Sequence, residues 1–263
     1  MSIKLEVLGS SSKGNCYLIQ TEETNVLVDA GFSGRHIAEM LSTKNLSIEN
    51  IHGVFVTHEH NDHSAGIRGL SKFVGIQLFA NRLTAETINK RINKQVHWNT
   101  ISDGEHSQFR DLDVVCFSLP HDAVDPVGYV FTKKYHDRCV KICIATDLGY
   151  VPNGLSKYTD DANLLVLESN HDLHMLEIDT KRPIYIKNRI RGKYGHLSND
   201  SAASFLATHN TLNWRTVLLA HLSHDCNSVP AIRSLLSKYN LPKTFNIEVV
   251  DPNAEQHPPV WLS

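Results

Sequence analysis

The chain has 263 residues, of which 41% are hydrophobic and 21% charged, a balance typical of a folded globular protein rather than a disordered one. Its formal net charge of −2 excludes a basic field over the whole protein, so a polyanionic partner would have to be held by a local basic patch or by metal ions. No apolar run has the length of a signal-peptide core or a membrane span, and the five cysteines include no Cys-x-x-Cys pair, so we expect a cytoplasmic protein with no membrane partner.

The first third of the chain alternates between short strands and helices. Strands are predicted over residues 3–8, 16–19, 25–29, 51–56 and 76–79. Helices are predicted over residues 34–41, 64–73 and 84–92, the first of them capped by Ser33. The polar segment 9–15 is predicted to be a loop, and it is interpreted either as a phosphate-binding turn or as a plain connection between strands.

The remainder of the chain is richer in strands and ends in a helical part. Strands are predicted over residues 114–119, 127–132, 140–145, 163–167, 216–220 and 245–250. Helices are predicted in pieces over residues 174–191, and over residues 201–209 and 229–239. This order predicts an α/β protein with two mixed β-sheets between helices, an αββα sandwich, in a single domain over residues 1–263.

One segment concentrates metal-binding side chains. His58, His60, Asp62 and His63 lie within six residues, directly after the predicted strand 51–56. At a strand end His58 and His60 point to one side, because side chains two residues apart share a face. The spacing differs from the i, i+4 histidine pair of a single-ion helical site. It favours two adjacent metal ions over the alternative of a solvated, histidine-rich loop.

Further polar residues follow apolar strands elsewhere in the chain. They are Asp29, His121, Asp147, Glu168 and His221. Each of them, taken alone, is typical of a turn or cap residue. Catalytic groups, however, gather on loops at one edge of a rigid sheet, so the five residues together with the histidine segment indicate a functional site.

The same residues carry a family resemblance. Asp29, the His58-x-His60-x-Asp62-His63 motif, His121, Asp147 and His221, in this order, resemble the metallo-β-lactamase fold superfamily over nearly the whole chain. The strings at 9–15, 167–172, 195–199 and 219–223 resemble its YycJ (WalJ)-type branch, which is related to ribonuclease Z and to the nuclease core of ribonuclease J. The resemblance implies the metallo-β-lactamase fold and a metal-dependent hydrolase, a phosphodiesterase with 5′-to-3′ DNA exonuclease activity. The segment between Asp147 and His221 is too short for the β-CASP domain of the ribonuclease J type.

The resemblance also implies how two divalent metal ions would be held. Seven side chains would be ligands: His58, His60 and His121 for one ion, Asp62, His63 and His221 for the other, and Asp147 as a bridge. Asp62 would also be catalytic, and Asp29 would orient the ligand loop from behind. These ligands suit zinc or manganese, and iron is possible. A hydroxide between the ions would attack the phosphodiester, so no protein nucleophile is assigned.

The same resemblance implies a proton donor for the leaving oxygen. Ribonuclease Z-like enzymes use a histidine supported by a glutamate, which places His196 and Glu168 in these catalytic roles. The alternative is that His196 caps the helix that follows it.

A basic strip, residues 181–193, precedes His196 and contains six lysines and arginines but no acid. We interpret the strip as a contact for the phosphate backbone of nucleic acid, DNA being favoured, against the alternative of a solvated helix face. Two other functions stay open. One is a small-molecule hydrolase (a cyclic phosphodiesterase, a lactonase or a glyoxalase II-like thioesterase), and the other is a non-catalytic metal-binding module. The oligomeric state is left open by the sequence.

Overall fold

The computed structural model describes residues 2–136, 138–209 and 213–263. The chain divides into two compact units. Unit 1 comprises residues 1–118, 123–139 and 256–263, and unit 2 comprises residues 119–122 and 140–255. The single domain over residues 1–263 therefore stays a prediction. Among the described residues, no helix combines the length and hydrophobicity that crossing a bilayer requires.

The described residues form short strands and helices, with runs of consecutive strands as well as runs of consecutive helices. The strands are β1 Ile3–Ser11, β2 Gly14–Gln20, β3 Asn25–Val28, β4 Gly53–Phe55, β5 Gln77–Ala80, β6 Asn99–Thr100, β7 His106–Phe109, β8 Leu112–Ser118, β9 Val127–Lys134, β10 Cys139–Ala145, β11 Leu164–Glu168, β12 Thr216–Ala220, β13 Asn246–Val249 and β14 Val260–Leu262. The α-helices are α1 Gly34–Ser42, α2 Asn61–Ser64, α3 Ile67–Leu70, α4 Arg82–Ile92, α5 Ser156–Thr159, α6 Leu173–Ile178, α7 Ile184–Ile190, α8 Asn199–Thr208 and α9 Val229–Leu236. A short 3-10 helix spans Ile48–Asn50.

Unit 1 is built on a seven-stranded sheet in the order β14-β1-β2-β3-β4-β5-β6. Its strands are antiparallel from β14 to β3 and parallel from β3 to β6. Apolar side chains of α1, α3 and α4, such as Ile37, Leu70 and Ile88, join Leu27 and Val54 of the sheet in one buried cluster. Burial of this apolar surface is what holds the three helices on the sheet.

Aromatic rings form a second buried layer in unit 1. Phe55 of β4 stacks on Phe79 of β5 with ring centroids 4.4 Å apart. Phe55 also forms edge-to-face pairs with Phe109 of β7 and with Tyr129 and Phe131 of β9. The ring centroids in these pairs are 5.1–5.7 Å apart. Stacked and edge-to-face pairs at these distances are favourable because the ring faces are negative and the ring edges positive. They fix β4, which precedes the histidine segment.

Unit 2 is built on the parallel strands β10, β11, β12 and β13. Every residue of β11 and β12 is buried, which explains their continuous apolar runs. The register pairs Ala145 with Leu167, and Leu167 with Leu219. The carboxyl ends of these strands therefore lie side by side at one edge of the unit, which is where ligands bind in parallel sheets.

The strands make two mixed sheets flanked by helices, so the predicted fold class is confirmed. Two local predictions were wrong. Segment 9–15 is mostly the β1–β2 hairpin, joined at Ser12 and Lys13, rather than a loop. The predicted helix 64–73 is split into α2 and α3 around Gly66, where a Cβ atom would lie 2.5 Å from the Phe32 carbonyl oxygen.

Candidate metal centre

The histidine segment of unit 1 occupies the loop after β4 and the start of α2. His60 is the N-cap of α2, so Asp62 and His63 lie in its first turn, and the helix begins earlier than predicted. The ring centroid of His58 lies 4.6 Å from that of His60 and 4.1 Å from that of His63. His58 and His63 are buried, whereas His60 and Asp62 are partly accessible. The segment thus gathers three imidazoles and a carboxylate, as the predicted ligand loop requires.

Asp29 supports this loop from the end of β3. It is fully buried and has a positive φ of 64°. Its carboxylate accepts hydrogen bonds from the Thr57 backbone N–H at 2.8 Å and from His63 Nδ1 at 2.7 Å. Burial raises the pKa of Asp29, although His63 and Thr57 oppose the shift. Since His63 donates through Nδ1, its Nε2 carries the lone pair that a metal ligand needs, which fits the expected orienting role of Asp29.

Asp29→Ala is expected to lower the free energy of unfolding by about 2–6 kcal/mol, because the Thr57 N–H and the His63 ring N–H, two of its buried donors, each lose their acceptor at about 1–3 kcal/mol apiece. Urea unfolding followed by circular dichroism measures the loss. The matched control is Asp113→Ala in the same unit, which removes a surface ion pair with the exposed Lys134 and should cost less than about 1 kcal/mol. Equal losses in the two variants would contradict a supporting role for Asp29.

Asn15 is a neighbour of this loop that the sequence did not single out. Its Nδ2 lies 3.0 Å from His63 Nε2 and 3.4 Å from Asp62 Oδ2. The backbone at Gly31 lies against Asp62, and only glycine fits there, because a Cβ atom would lie 1.7 Å from the Asp62 carbonyl oxygen. The side-chain amide of Asn15 therefore meets the histidine segment. No periodicity distinguishes Asn15 from the polar residues around it.

Five predicted site residues come together in unit 2. Asp147 follows β10, Glu168 ends β11, and His221 follows β12, so three neighbouring parallel strands deliver them to one edge. His221 Nε2 lies 3.1 Å and His121 Nε2 3.8 Å from Asp147 Oδ1. His196 Nδ1 lies 3.6 Å from the same oxygen. One buried carboxylate oxygen thus faces three imidazoles.

Four of these residues have the composition and spacing of a metal site. The ligand atoms of Asp147, Glu168, His196 and His221 all lie within 4.8 Å of one another. Imidazole nitrogens and carboxylate oxygens are the donors that zinc, manganese and iron accept. Unit 2 therefore contains a His/Asp cluster able to bind a metal ion. The number of ions and the identity of the metal stay predictions.

His196 and Glu168 form a defined pair within this cluster. His196 Nδ1 lies 2.8 Å from Glu168 Oε1, and the other oxygen of the fully buried Glu168 accepts the N–H groups of Leu148 and Leu197. Burial lowers the pKa of His196, but the charges of Glu168 and Asp147 outweigh it and raise the pKa to about 9. The imidazole is therefore protonated at neutral pH.

The capping role considered for His196 is wrong. Ser198 is the N-cap of α8, and its side chain accepts a hydrogen bond from Ser201 N at 3.2 Å. His196 instead contacts Glu168, so its position serves the cluster rather than the helix end.

The ring of His121 is fixed by the loop that leads to His196. His121 Nδ1 donates to the Gly195 carbonyl oxygen at 2.9 Å, which leaves Nε2 on the side of Asp147. Gly195 is required there, because a Cβ atom would lie 2.1 Å from the Ile190 carbonyl oxygen. Burial lowers the pKa of His121, which favours the neutral ring that a metal ligand needs.

Two of the cluster residues sit in a backbone conformation that non-glycine residues seldom adopt. Asp147 has a φ of 64° and His221 a φ of 57°. The His221 carbonyl oxygen accepts a hydrogen bond from Asn170 Nδ2 at 2.9 Å, which holds the loop. Such backbone strain is concentrated at functional sites, where the surrounding structure enforces it.

The basic strip, residues 181–193, is largely neutralised by other parts of unit 2. Lys181 and Arg182 pair with Asp225, and Arg189 pairs with Asp122. Lys187 is buried and donates to the Glu177 carbonyl oxygen. A phosphate contact by the whole strip is therefore not supported. Arg191 and Lys193, near its end, make no ion pair within the described part of the chain.

Comparison with known proteins agrees with this geometry. Residues 24–222 match the family described as Beta-lactamase superfamily domain. The Exodeoxyribonuclease YycJ of Bacillus anthracis is 34% identical over 260 residues, which cover 96% of this chain and 97% of that protein. The Exodeoxyribonuclease WalJ of Streptococcus pneumoniae is 33% identical over 235 residues, which cover 86% of this chain and 84% of that protein. The crystal structure of the metallo-beta-lactamase fold protein YhfI from Bacillus subtilis has a TM-score of 0.70 and 16% identity, and covers 96% of this chain and 98% of its own, a likeness of fold alone.

Proposed function

Because the chain belongs to the beta-lactamase superfamily and, within it, to the branch that includes YycJ and WalJ, we propose that it is a metal-dependent exodeoxyribonuclease. The family prediction and the prediction of a metal-dependent nuclease are confirmed. The observation that carries the proposal is the His196–Glu168 pair beside Asp147 and His221 in unit 2. The 5′-to-3′ polarity, the preference for DNA and the cytoplasmic location stay our predictions.

The proposed ligands are the seven residues predicted from the sequence. They are His58, His60, Asp62, His63, His121, Asp147 and His221. We propose that they hold two divalent ions, zinc or manganese, since their imidazole and carboxylate donors suit both metals. Such ions, when bound, activate water and neutralise the charge that develops on a phosphodiester.

The protein's own contribution to the reaction is a proton for the leaving oxygen. Glu168 holds His196 Nδ1, so the opposite ring nitrogen, Nε2, presents its hydrogen away from the pair. As water attacks phosphorus and the bond to the 3′-oxygen breaks, His196 Nε2–H would protonate that oxygen. General-acid help of this kind matters for a sugar alkoxide, which is a poor leaving group. A lactone or thioester hydrolase gains little from such a donor, so the pair favours the phosphodiester.

Removal of the metal tests the proposal. The purified protein is expected to contain about two equivalents of divalent metal and to lose its nuclease activity on chelation, with recovery on adding zinc or manganese. The assay uses end-labelled single- and double-stranded DNA and RNA, with bis(p-nitrophenyl) phosphate, a lactone and a thioester alongside. A protein whose DNA cleavage ignores chelators, or which cleaves the lactone or thioester but no DNA, would contradict the proposal.

A further inference from the structure

Two exposed tyrosines lie on loops that carry residues of the metal-binding cluster. Tyr150 follows Asp147 by three residues, and Tyr194 precedes His196 by two. Gly149 brings the loops together, because a Cβ atom there would lie 2.3 Å from the Lys193 carbonyl oxygen. The two tyrosines are therefore presented by loops in backbone contact, each of which also carries a residue of the cluster.

Lys193 lies between the two rings. Its ammonium is 5.5 Å from the ring centroid of Tyr150 and 5.9 Å from that of Tyr194. Both distances fall within the range of cation–π attraction, so the three side chains form one group on the surface. Tyr150 is 39% exposed and Tyr194 55% exposed, so much of each ring is open to solvent.

The charge of Lys193 is available to an anion. It makes no ion pair among the described residues, whereas Lys181, Arg182 and Arg189 in the same strip are paired with aspartates. An accessible ammonium between accessible aromatic rings matches a nucleotide, which offers a phosphate and a flat base.

The space beside Tyr150 supports the same ligand. Tyr150 lines an open cavity of about 510 Å³ in unit 2, together with Val151, Ser201, Ser204 and Phe205. A volume of this size lies in the range of small-ligand sites. A base stacked on Tyr150 therefore has room beside the ring.

We propose that Tyr150, Lys193 and Tyr194 bind a single-stranded end of DNA next to His196, the tyrosines stacking on unpaired bases and Lys193 contacting a phosphate. The inference rests on the proposed nuclease function and adds the form of the substrate. Bases within a duplex are stacked on one another, so only bases that are unpaired and splayed offer a face to a protein ring.

Alanine and phenylalanine variants of the two tyrosines test the inference. The dissociation constant of the metal-loaded enzyme for fluorescent, phosphorothioate-protected single-stranded DNA is measured, with a protected blunt duplex as comparison. Tyr150→Ala and Tyr194→Ala are each expected to weaken single-strand binding about 5- to 100-fold, the loss that follows removal of one stacking partner. Tyr150→Phe and Tyr194→Phe keep the ring and should bind within about twofold of the wild type. Lys193→Ala should reduce the slope of log binding constant against log salt by about 0.7.

The matched control is Tyr158→Ala. Tyr158 also has a lysine over its ring, Lys157 at 5.3 Å, but lies on α5, which carries no site residue. This variant should bind and cleave every substrate as the wild type does. The inference is overturned if Tyr150→Ala and Tyr194→Ala bind single strands as Tyr158→Ala does, or if they lose blunt-duplex affinity to the same extent. A wild-type enzyme that binds DNA but never cleaves it would count against the proposed function instead, and the binding comparison would still decide on the tyrosines.

Discussion

Asp147→Ala is expected to lower kcat on DNA by about 10³-fold or more, because it removes a proposed metal ligand and with it several kcal/mol of charge stabilisation in the transition state. The geometry explains the size of this effect. The same carboxylate oxygen of Asp147 lies within 3.1–3.8 Å of ring nitrogens of His221, His196 and His121. Without it, the three imidazoles lose their shared negative partner, and metal affinity is expected to fall together with activity.

Metal analysis of the purified variants, alongside DNA cleavage, measures the effect. Asp147→Asn keeps the size of the side chain but removes its charge, so it separates loss of the ligand from loss of packing. The control is Asp161→Ala, which removes a surface acid, 68% exposed, paired with Lys141 in the same unit. It should keep both metal and activity, since exposed ion pairs contribute little. An Asp147→Ala protein that retains full metal content and turnover would remove this residue from the proposed ligand set.

The parts of the candidate site that could be predicted are those governed by local rules. Because His58, His60 and His63 lie within six residues, the sequence alone suggests that their rings gather, and the ring distances agree. Asp147 and His221 could be placed because they follow buried apolar runs. Parallel strands deliver the residues after their carboxyl ends to one edge of a sheet, so such residues meet.

What could not be predicted depends on partners far away in the sequence. The basic strip contains no acid of its own, yet Asp122 and Asp225 neutralise much of it from outside. The contact of Asn15 with His63 joins residues 48 positions apart and leaves no local pattern. The strand β6 has only two residues, too few for alternation to be recognised. In each case the tertiary arrangement, rather than the local pattern, decides the outcome.

The Glu168–His196 contact shows how the structure decides between two interpretations that the sequence allowed. A histidine two residues before Ser198 is compatible with helix capping or with chemistry, because both need a polar side chain at a loop. The cap of α8 is made by Ser198, and the His196 ring bonds to Glu168 instead. Burying Glu168 completely is costly unless its oxygens have partners, and three donors supply them. The fold thus stabilises a charged pair at the edge where Asp147 and His221 lie.

This pair leads to the second large effect. His196→Ala is expected to slow DNA cleavage by about 10²- to 10⁴-fold, the usual contribution of a general acid. The loss should be much smaller on bis(p-nitrophenyl) phosphate, because nitrophenolate leaves without needing a proton. Glu168→Gln should also slow DNA cleavage more than cleavage of bis(p-nitrophenyl) phosphate, but by a smaller factor than His196→Ala. The amide keeps a hydrogen-bond acceptor for His196 but has no charge to stabilise the imidazolium. The decisive quantity is therefore the ratio, in each variant, of the rate on DNA to the rate on bis(p-nitrophenyl) phosphate.

The metal content of His196→Ala distinguishes proton donation from ligation. His196 lies in the same group of close donor atoms as Asp147 and His221, so a ligand role would show as loss of metal together with equal losses on both substrates. A proton donor instead leaves the metal in place and makes the rate depend steeply on the leaving group. Added imidazole should restore part of the DNA cleavage, because the His196 side chain is 21% exposed and its removal opens a route for imidazolium, which can donate the missing proton. Equal losses on both substrates with full metal content and no rescue would mean that His196 only positions its neighbours.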